Sequence, residues 1–327
     1  MISTLDLSEI YKPIKPDLER FHKLIQEEMS TKDVFLQSIH EYLLQISGKH
    51  LRPALAILSA RLSGNQTDTP IRLAIAIELL HTATLIHDDI IDGSMFRRNQ
   101  PSMNARWGVE VSIICGDYLY SKAFSILAAL DDSNINKMFA ACAKTMCEGE
   151  MKQVETRQTL AMSERDYTEI IHKKTASLFQ AACAAGAYVS KQPIPAVQTL
   201  AEYGKNLGLA FQITDDILDI VGKDEELGKK AGLDFEKQDP TLPLIYLYEA
   251  LGPRRGELEK LMNAENGAVA ENFKKIKELC VSSGTLEKCM GRARDYAAAA
   301  HENLKSLPDS AYKKSLSDLV DFTVQRV

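Results

Sequence analysis

Apolar residues recur at intervals of three and four along nearly the whole chain, while runs alternating apolar with polar residues between turn signals are scarce. That spacing lines up apolar side chains on one face of a helix, so the chain must bury helical stripes against each other rather than build sheet. Glycine and proline supply the punctuation, at Gly48, Pro53, Gly64, Pro70, Gly93, Pro101, Gly108, Pro193, Pro195, Gly222, Gly232, Pro240, Pro243, Gly252, Pro253 and Pro308. The clearest helices are predicted over 70–92, 109–129, 134–158, 164–189 and 197–221. No Ser/Gly-rich linker, low-complexity tract or solenoid-length repeat divides the sequence. The expected architecture is therefore all-α: one domain over 1–327, a large helical bundle with a central apolar cavity between facing helices.

One acidic motif occurs twice. LIHDDIIDG carries Asp88, Asp89 and Asp92, and QITDDILDIVG carries Asp215, Asp216 and Asp219, each at the C-terminal end of a long apolar run. Positions i and i+4 share a helix face, so Asp88 stacks with Asp92 and Asp215 with Asp219. Three carboxylates within five residues repel one another, which calls for a cation between them. A solvated helix end could also look like this once, but two identical clusters on apolar helices with basic residues nearby point to a metal. Oxygen-only donors suit Mg²⁺, or Mn²⁺, rather than zinc or iron. A di-iron bundle would need Glu-x-x-His among the metal ligands, and neither acidic motif contains one.

Basic residues surround these motifs in sequence. Arg97 and Arg98 follow the first, GKHLRP places Lys49 and Arg52 three apart, as on one helical face at the start of a helix, and IIHKKTASLF holds Lys173, Lys174 and Thr175. Any single pair would be an ordinary surface charge. Together with two metal clusters they make a diphosphate site, with carboxylates on metal, metal on phosphate, and Arg and Lys on the remaining oxygens.

Composition narrows the alternatives. A net charge of -6 excludes broad nucleic-acid binding, which needs a basic surface. With 45% apolar and 26% charged residues the chain reads as soluble and globular. The N-terminus lacks a signal peptide, and the most apolar stretch, Leu73 to Ile86, is short of a membrane span and contains Glu78 and His81. The expectation is a cytoplasmic protein with no stable membrane insertion. Six scattered cysteines form no CxxC pair and are expected to be free thiols.

The sequence resembles the trans-isoprenyl diphosphate synthases, or polyprenyl synthetases. GKHLRP, ELLHTATLIHDDIID, RRNQPSMNARWG, CGDYLYSKAF, KKTASLF, FQITDDILD and DPTLPLIYL appear in family order between Gly48 and Leu247. The resemblance implies the all-α isoprenoid synthase bundle, commonly a homodimer. It implies that Asp88, Asp92 and Asp215 bind three Mg²⁺, with Asp89, Asp216 and Asp219 supporting them. Arg97, Lys174, Thr175, Gln212 and Lys229 would hold an allylic diphosphate, and Lys49, Arg52, His81 and Arg98 would hold isopentenyl diphosphate. The allylic C–O bond would ionise, the isopentenyl double bond would attack the cation, and a proton would be lost to the departing pyrophosphate.

The chain departs from the pattern in two places. The family commonly reads GxDLxxGKxTLP after the second cluster, but this chain reads GLDFEKQDPTLP, so Gln238-Asp239 replace Gly-Lys and one allylic-phosphate lysine is absent, with Lys237 two residues earlier as a substitute. Asn99 also stands where a glycine is usual. Product length should follow the depth of the apolar pocket. Ala83 and Thr84 lie about 5.4 Å, one turn, below Asp88 and are small, where short-chain members tend to carry an aromatic; Phe139 would provide a deeper floor. A long product, heptaprenyl to nonaprenyl, is expected. The alternatives are a farnesyl or geranylgeranyl diphosphate synthase, a terpene cyclase, disfavoured by the second DDxxD and GKHLRP, and a non-catalytic partner subunit, disfavoured by two intact clusters.

Overall fold

In the computed structural model, residues 6–46, 48–64, 66–222, 232–263 and 269–326 are described. Helices follow one another as α1 (Leu7–Ile10), α2 (Lys15–Glu28), α3 (Val34–Gln45), α4 (Leu51–Arg61) and α5 (Thr69–Ile91). A hairpin of β1 (Phe96–Arg97) and β2 (Gln100–Pro101) leads to α6 (Met103–Ala128), α7 (Ser133–Thr156), α8 (Glu164–Ile171), α9 (Ser177–Val189) and α10 (Ile194–Val221). Then come α11 (Leu233–Glu236), α12 (Leu242–Leu251), α13 (Arg255–Met262), α14 (Val269–Ser282), α15 (Thr285–Leu304) and α16 (Ala311–Val324). Among the described residues the two-residue antiparallel ladder is the only sheet, so the fold is all-α, as the apolar spacing predicts.

The chain divides into two compact units. The first comprises Met1–Cys142, Leu178–Gly204 and Asn303–Leu319. Its centre is α5, which packs mainly on α6 and also on α4 and α2. Every residue from Leu73 to Leu80 is buried, because this helix is apolar on all sides and needs neighbours on all sides. At 23 residues α5 is long and apolar enough to cross a membrane, longer than the Leu73–Ile86 stretch suggests, but most of it is buried in the protein as a core helix. Arg61 at the end of α4 is 2% exposed and is held by Asp17 of α2, with Nε on Oδ2 at 3.0 Å, Nη2 on Oδ1 at 2.5 Å, and Nη1 on the Thr67 carbonyl at 3.2 Å. The Tyr203 hydroxyl, buried in α10, donates to the Leu316 carbonyl at 2.7 Å and anchors α16.

The second unit comprises Ala143–Ser177, Lys205–Glu302 and Val320–Val327. One apolar cluster joins α8, α10, α12 and α15 through Tyr167, Ile213, Ile217, Ile245 and Ala293. Another joins α10, α12, α13 and α14 through Ile220, Leu247, Leu258 and Ile276.

Two local expectations change, and one falls outside the described residues. The predicted 164–189 helix is interrupted by a π turn over His172–Ala176. Lys49 does not share a helical face with Arg52, because it precedes α4 and His50 between them adopts a left-handed φ of 48°. Lys229 lies outside the described residues. All six cysteines are free, and all but Cys147 are buried.

Candidate active site

In the first unit the acidic motif closes α5. Asp88 and Asp89 occupy its last turn and Asp92 caps it, its N–H bonded to the Asp88 carbonyl at 2.8 Å, so Asp88 and Asp92 stay one turn apart. Carboxylates at the negative end of a helix dipole are unfavourable without positive charge. Part of that charge is supplied by the hairpin. Asn99 and Arg98 form its two-residue turn with φ of 61° and 50°, the left-handed pair a tight hairpin needs and one that Asn tolerates where glycine is usual. The reversal brings Arg97 back onto Asp89. Arg97 Nε donates to Asp89 Oδ1 at 2.9 Å and Oδ2 at 2.8 Å, and Nη2 donates to Oδ1 at 2.7 Å. Burial opposes the Arg97 charge, but the Asp89 bonds outweigh it and raise the guanidinium above its ordinary value.

The remaining cations of this unit are also pre-set. Arg98 Nη1 donates to the Ile46 carbonyl at 2.7 Å, and a side chain at position 48 would overlap its guanidinium, so Gly48 is the residue that lets Arg98 lie there. Arg52 stacks 4.5 Å over the Phe179 ring and donates through Nη1 to His81 Nε2 at 3.1 Å. A guanidinium can only donate, so His81 is neutral at Nε2 with its proton on Nδ1. Burial, then the charges of Arg52, Arg98 and Arg97, push the His81 titration well below its ordinary range. An imidazole that titrates lower folded than unfolded makes stability rise with pH. The contribution is complete above about 6.5 and is lost as acid protonates the unfolded chain first. The urea midpoint should therefore fall between pH 7.5 and 5.5, and fall less in His81→Gln. His22 and His40, shifted down mainly by burial, add to the slope in the same direction.

In the second unit α10 carries the repeat of the motif. Asp216 is 3% exposed and accepts from Tyr167 Oη at 2.7 Å and from Gln212 Nε2 at 2.8 Å, while Thr175 Oγ1 donates to Gln212 Oε1 at 2.7 Å. Asp219 is 1% exposed and its carbonyl accepts the Gly232 N–H at 3.0 Å. Asp215 is the open member, its side chain 40% exposed and 2.8 Å from Arg326 Nη2, at contact distance without hydrogen-bond alignment. Lys174, in the π turn, pairs with Glu150 of α7 at 2.5 Å. A Cβ at position 149 would run into the Lys174 backbone, so Gly149 allows this turn to press on α7.

The two clusters thus share one plan. The second Asp of each is buried and locked by protein donors, Arg97 in one and Tyr167 with Gln212 in the other, while the first Asp is left more open. Among the described residues no three His, Cys, Asp or Glu side chains gather closely enough to hold a metal by themselves. The oxygen-only donors of the two motifs suit Mg²⁺, which takes one or two carboxylates and fills its octahedron with water and phosphate oxygens. Sequence reasoning passed over Tyr167, Glu150, Arg157 and Arg326. The π turn and the long-range pairs that recruit them leave no local pattern in the sequence.

The polyprenyl synthetase family profile matches residues 33–280. The chain is a member of the polyprenyl synthetase family. It is 32% identical to the octaprenyl diphosphate synthase of Haemophilus influenzae, covering 98% of both chains. It is 33% identical to a short chain isoprenyl diphosphate synthase of Methanothermobacter thermautotrophicus over 98% of this chain and 99% of that one. Its fold superimposes with a TM-score of 0.94 on a polyprenyl synthase of Caulobacter crescentus, solved with calcium and isoprenyl diphosphate, at 34% identity over 99% of both chains. A polyprenyl synthetase of this family is a prenyltransferase, and the all-α fold is that of the isoprenoid synthases.

Proposed function

We propose that this polyprenyl synthetase is a Mg²⁺-dependent trans-polyprenyl diphosphate synthase. It joins isopentenyl diphosphate head-to-tail to an allylic diphosphate, releases pyrophosphate, and elongates to heptaprenyl–nonaprenyl products. The observation that carries the reading is the shared plan of the two Asp clusters, each with its first carboxylate half-buried and its second buried and fixed by protein donors. Asp88, Asp92 and Asp215 would hold Mg²⁺, three ions by family likeness, and Asp89, Asp216 and Asp219 would keep them oriented. The bound metal supplies the positive charge that stabilises a departing diphosphate. Arg97, Lys174, Thr175, Gln212 and Lys229 bind the allylic diphosphate, and Lys174 exchanges Glu150 for phosphate oxygens as it does so. Lys49, Arg52, His81 and Arg98 bind isopentenyl diphosphate, with neutral His81 fixing the Arg52 fork. The apolar helices beneath exclude water, so the allylic cation meets the isopentenyl double bond instead, and the proton released leaves with pyrophosphate.

Residues 1–327 serve as one catalytic domain in this reading, acting in the cytoplasm, where free thiols persist. A homodimer is supported by an exposed apolar stripe on α6, where Val109, Ile113 and Ile114 are 51%, 45% and 68% exposed. The direct test is incubation of the purified chain with isopentenyl diphosphate, Mg²⁺ and each of the geranyl, farnesyl and geranylgeranyl diphosphates, followed by sizing of the products. Long all-trans products that require Mg²⁺ support the reading; no elongation with any primer contradicts it.

Product length depends on the helix below Asp88. Ala83 is fully buried and Thr84 half-buried, its hydroxyl donating to the His81 carbonyl at 2.7 Å, and Phe139 is fully buried in α7. Thr84→Phe, at the more open position, should shorten products by several five-carbon units. Ala83→Phe should do so less cleanly, because overpacking costs about 1–3 kcal/mol. Chromatography of the products and a thermal melt check both; an unchanged product length in folded variants contradicts this view of the pocket.

A further inference from the structure

Position 239 is where the family commonly carries a phosphate-binding lysine, and here it carries an acid. The Asp239 carboxylate is 3% exposed, and both its oxygens are engaged. Gln153 Nε2 donates to Oδ2 at 2.8 Å, and Arg157 Nε donates to Oδ1 at 3.0 Å. A buried carboxylate persists only where charge and hydrogen bonds meet it, so aspartate at 239 depends on Arg157. The bond through Nε fixes the plane of the guanidinium, whose side chain remains 24% exposed. The backbone reinforces the placement, since the Gln158 N–H donates to the Gln238 carbonyl at 3.0 Å.

Two further contacts relate the segments that carry Arg157 and Asp239 to the diphosphate machinery of the second unit. Glu150, Gln153 and Arg157 follow at intervals of three and four along α7 and just past its end, one stripe, and Glu150 is the partner of Lys174. The segment leading to Asp239 begins at Gly232, whose N–H is bonded to the carbonyl of Asp219 in the second acidic motif. The Arg157–Asp239 pair thus joins the stripe that carries Glu150 to the segment that follows the second carboxylate cluster. An unscreened acid there would repel a diphosphate, whereas an arginine clamped by that acid presents a fixed, planar donor set to it.

We propose that Arg157, locked by Asp239 and Gln153, binds the allylic diphosphate in place of the missing lysine. This rests on the synthase reading above, and elongation by the wild-type chain tests that reading separately. The decisive variant is R157Q/D239N, which removes both charges with little change in shape. The KM for farnesyl diphosphate should rise about tenfold or more, the loss expected for one charge-assisted contact, while the KM for isopentenyl diphosphate should change by less than about twofold. R157Q/D239K, which restores the lysine, should recover most of the loss. An unchanged farnesyl diphosphate KM in folded R157Q/D239N, or no recovery with D239K, overturns the proposal. Phenylglyoxal modification of the wild-type chain, mapped by mass spectrometry, needs no variant: farnesyl diphosphate with Mg²⁺ should slow labelling of Arg157 several-fold and isopentenyl diphosphate should not. Equal labelling rates with and without farnesyl diphosphate also overturn it.

Discussion

Asp88→Asn and Asp215→Asn should each cut turnover about 10³-fold, with the melting temperature nearly unchanged. Asparagine keeps the shape of the side chain but removes the charge proposed to hold Mg²⁺, so the loss should fall on stabilisation of the departing diphosphate, where single groups are worth about 10²–10³ in rate. Asp88 is only half-buried and Asp215 is 40% exposed on its side chain, so neither change leaves a hole in the core. Asp89→Asn should behave differently. It strips Arg97 of a bidentate partner at 2.7–2.9 Å, so it should disturb both the hairpin and stability. Steady-state assays at saturating Mg²⁺, paired with thermal melts, separate the two behaviours. Equal loss of stability in all three variants would contradict the division between open and locked carboxylates.

The largest effect on stability is expected far from the chemistry, at Asp17→Ala. Arg61 is 2% exposed and depends on Asp17 for two of its bonds. Removing the acid leaves a buried guanidinium without its carboxylate partner, which costs about 3–5 kcal/mol. Asp17→Ala/Arg61→Leu should recover much of that, because replacing a buried ion pair with apolar packing is often neutral or stabilising. Urea denaturation of the three proteins measures it; a single variant losing less than about 1 kcal/mol, the worth of a surface pair, would show that Arg61 finds water or another partner.

The fold class was legible because helical periodicity is a local property, and so were the long helices α5, α7 and α10, whose predicted spans lie within a few residues of those observed. Gly108, with φ of 82°, breaks α6 where the predicted helix over 109–129 starts. The candidate site was legible where a short motif sets geometry by itself, as in the two DDxxD turns. It was not legible where distant residues decide the structure. The π turn at His172–Ala176 is pressed into place against Gly149 of α7, and nothing within KKTAS announces it. Lys49 lost its helical relation to Arg52 because His50 turned left-handed. The replacement of Gly-Lys by Gln238-Asp239 could be seen in the sequence, but its counterpart Arg157 could not, since the two are joined only through tertiary contact. The same holds for Tyr167 on Asp216.

That each acidic motif holds metal at a diphosphate is the proposal on which the function rests. It is tested most directly by a crystal structure of the chain with Mn²⁺ and a non-cleavable allylic thiodiphosphate, using the anomalous signal of manganese to place the ions. The account predicts anomalous peaks at Asp88 and Asp92 and at Asp215, with thiodiphosphate oxygens on the ions. Peaks at one motif only, or a thiodiphosphate bound away from either, would contradict it.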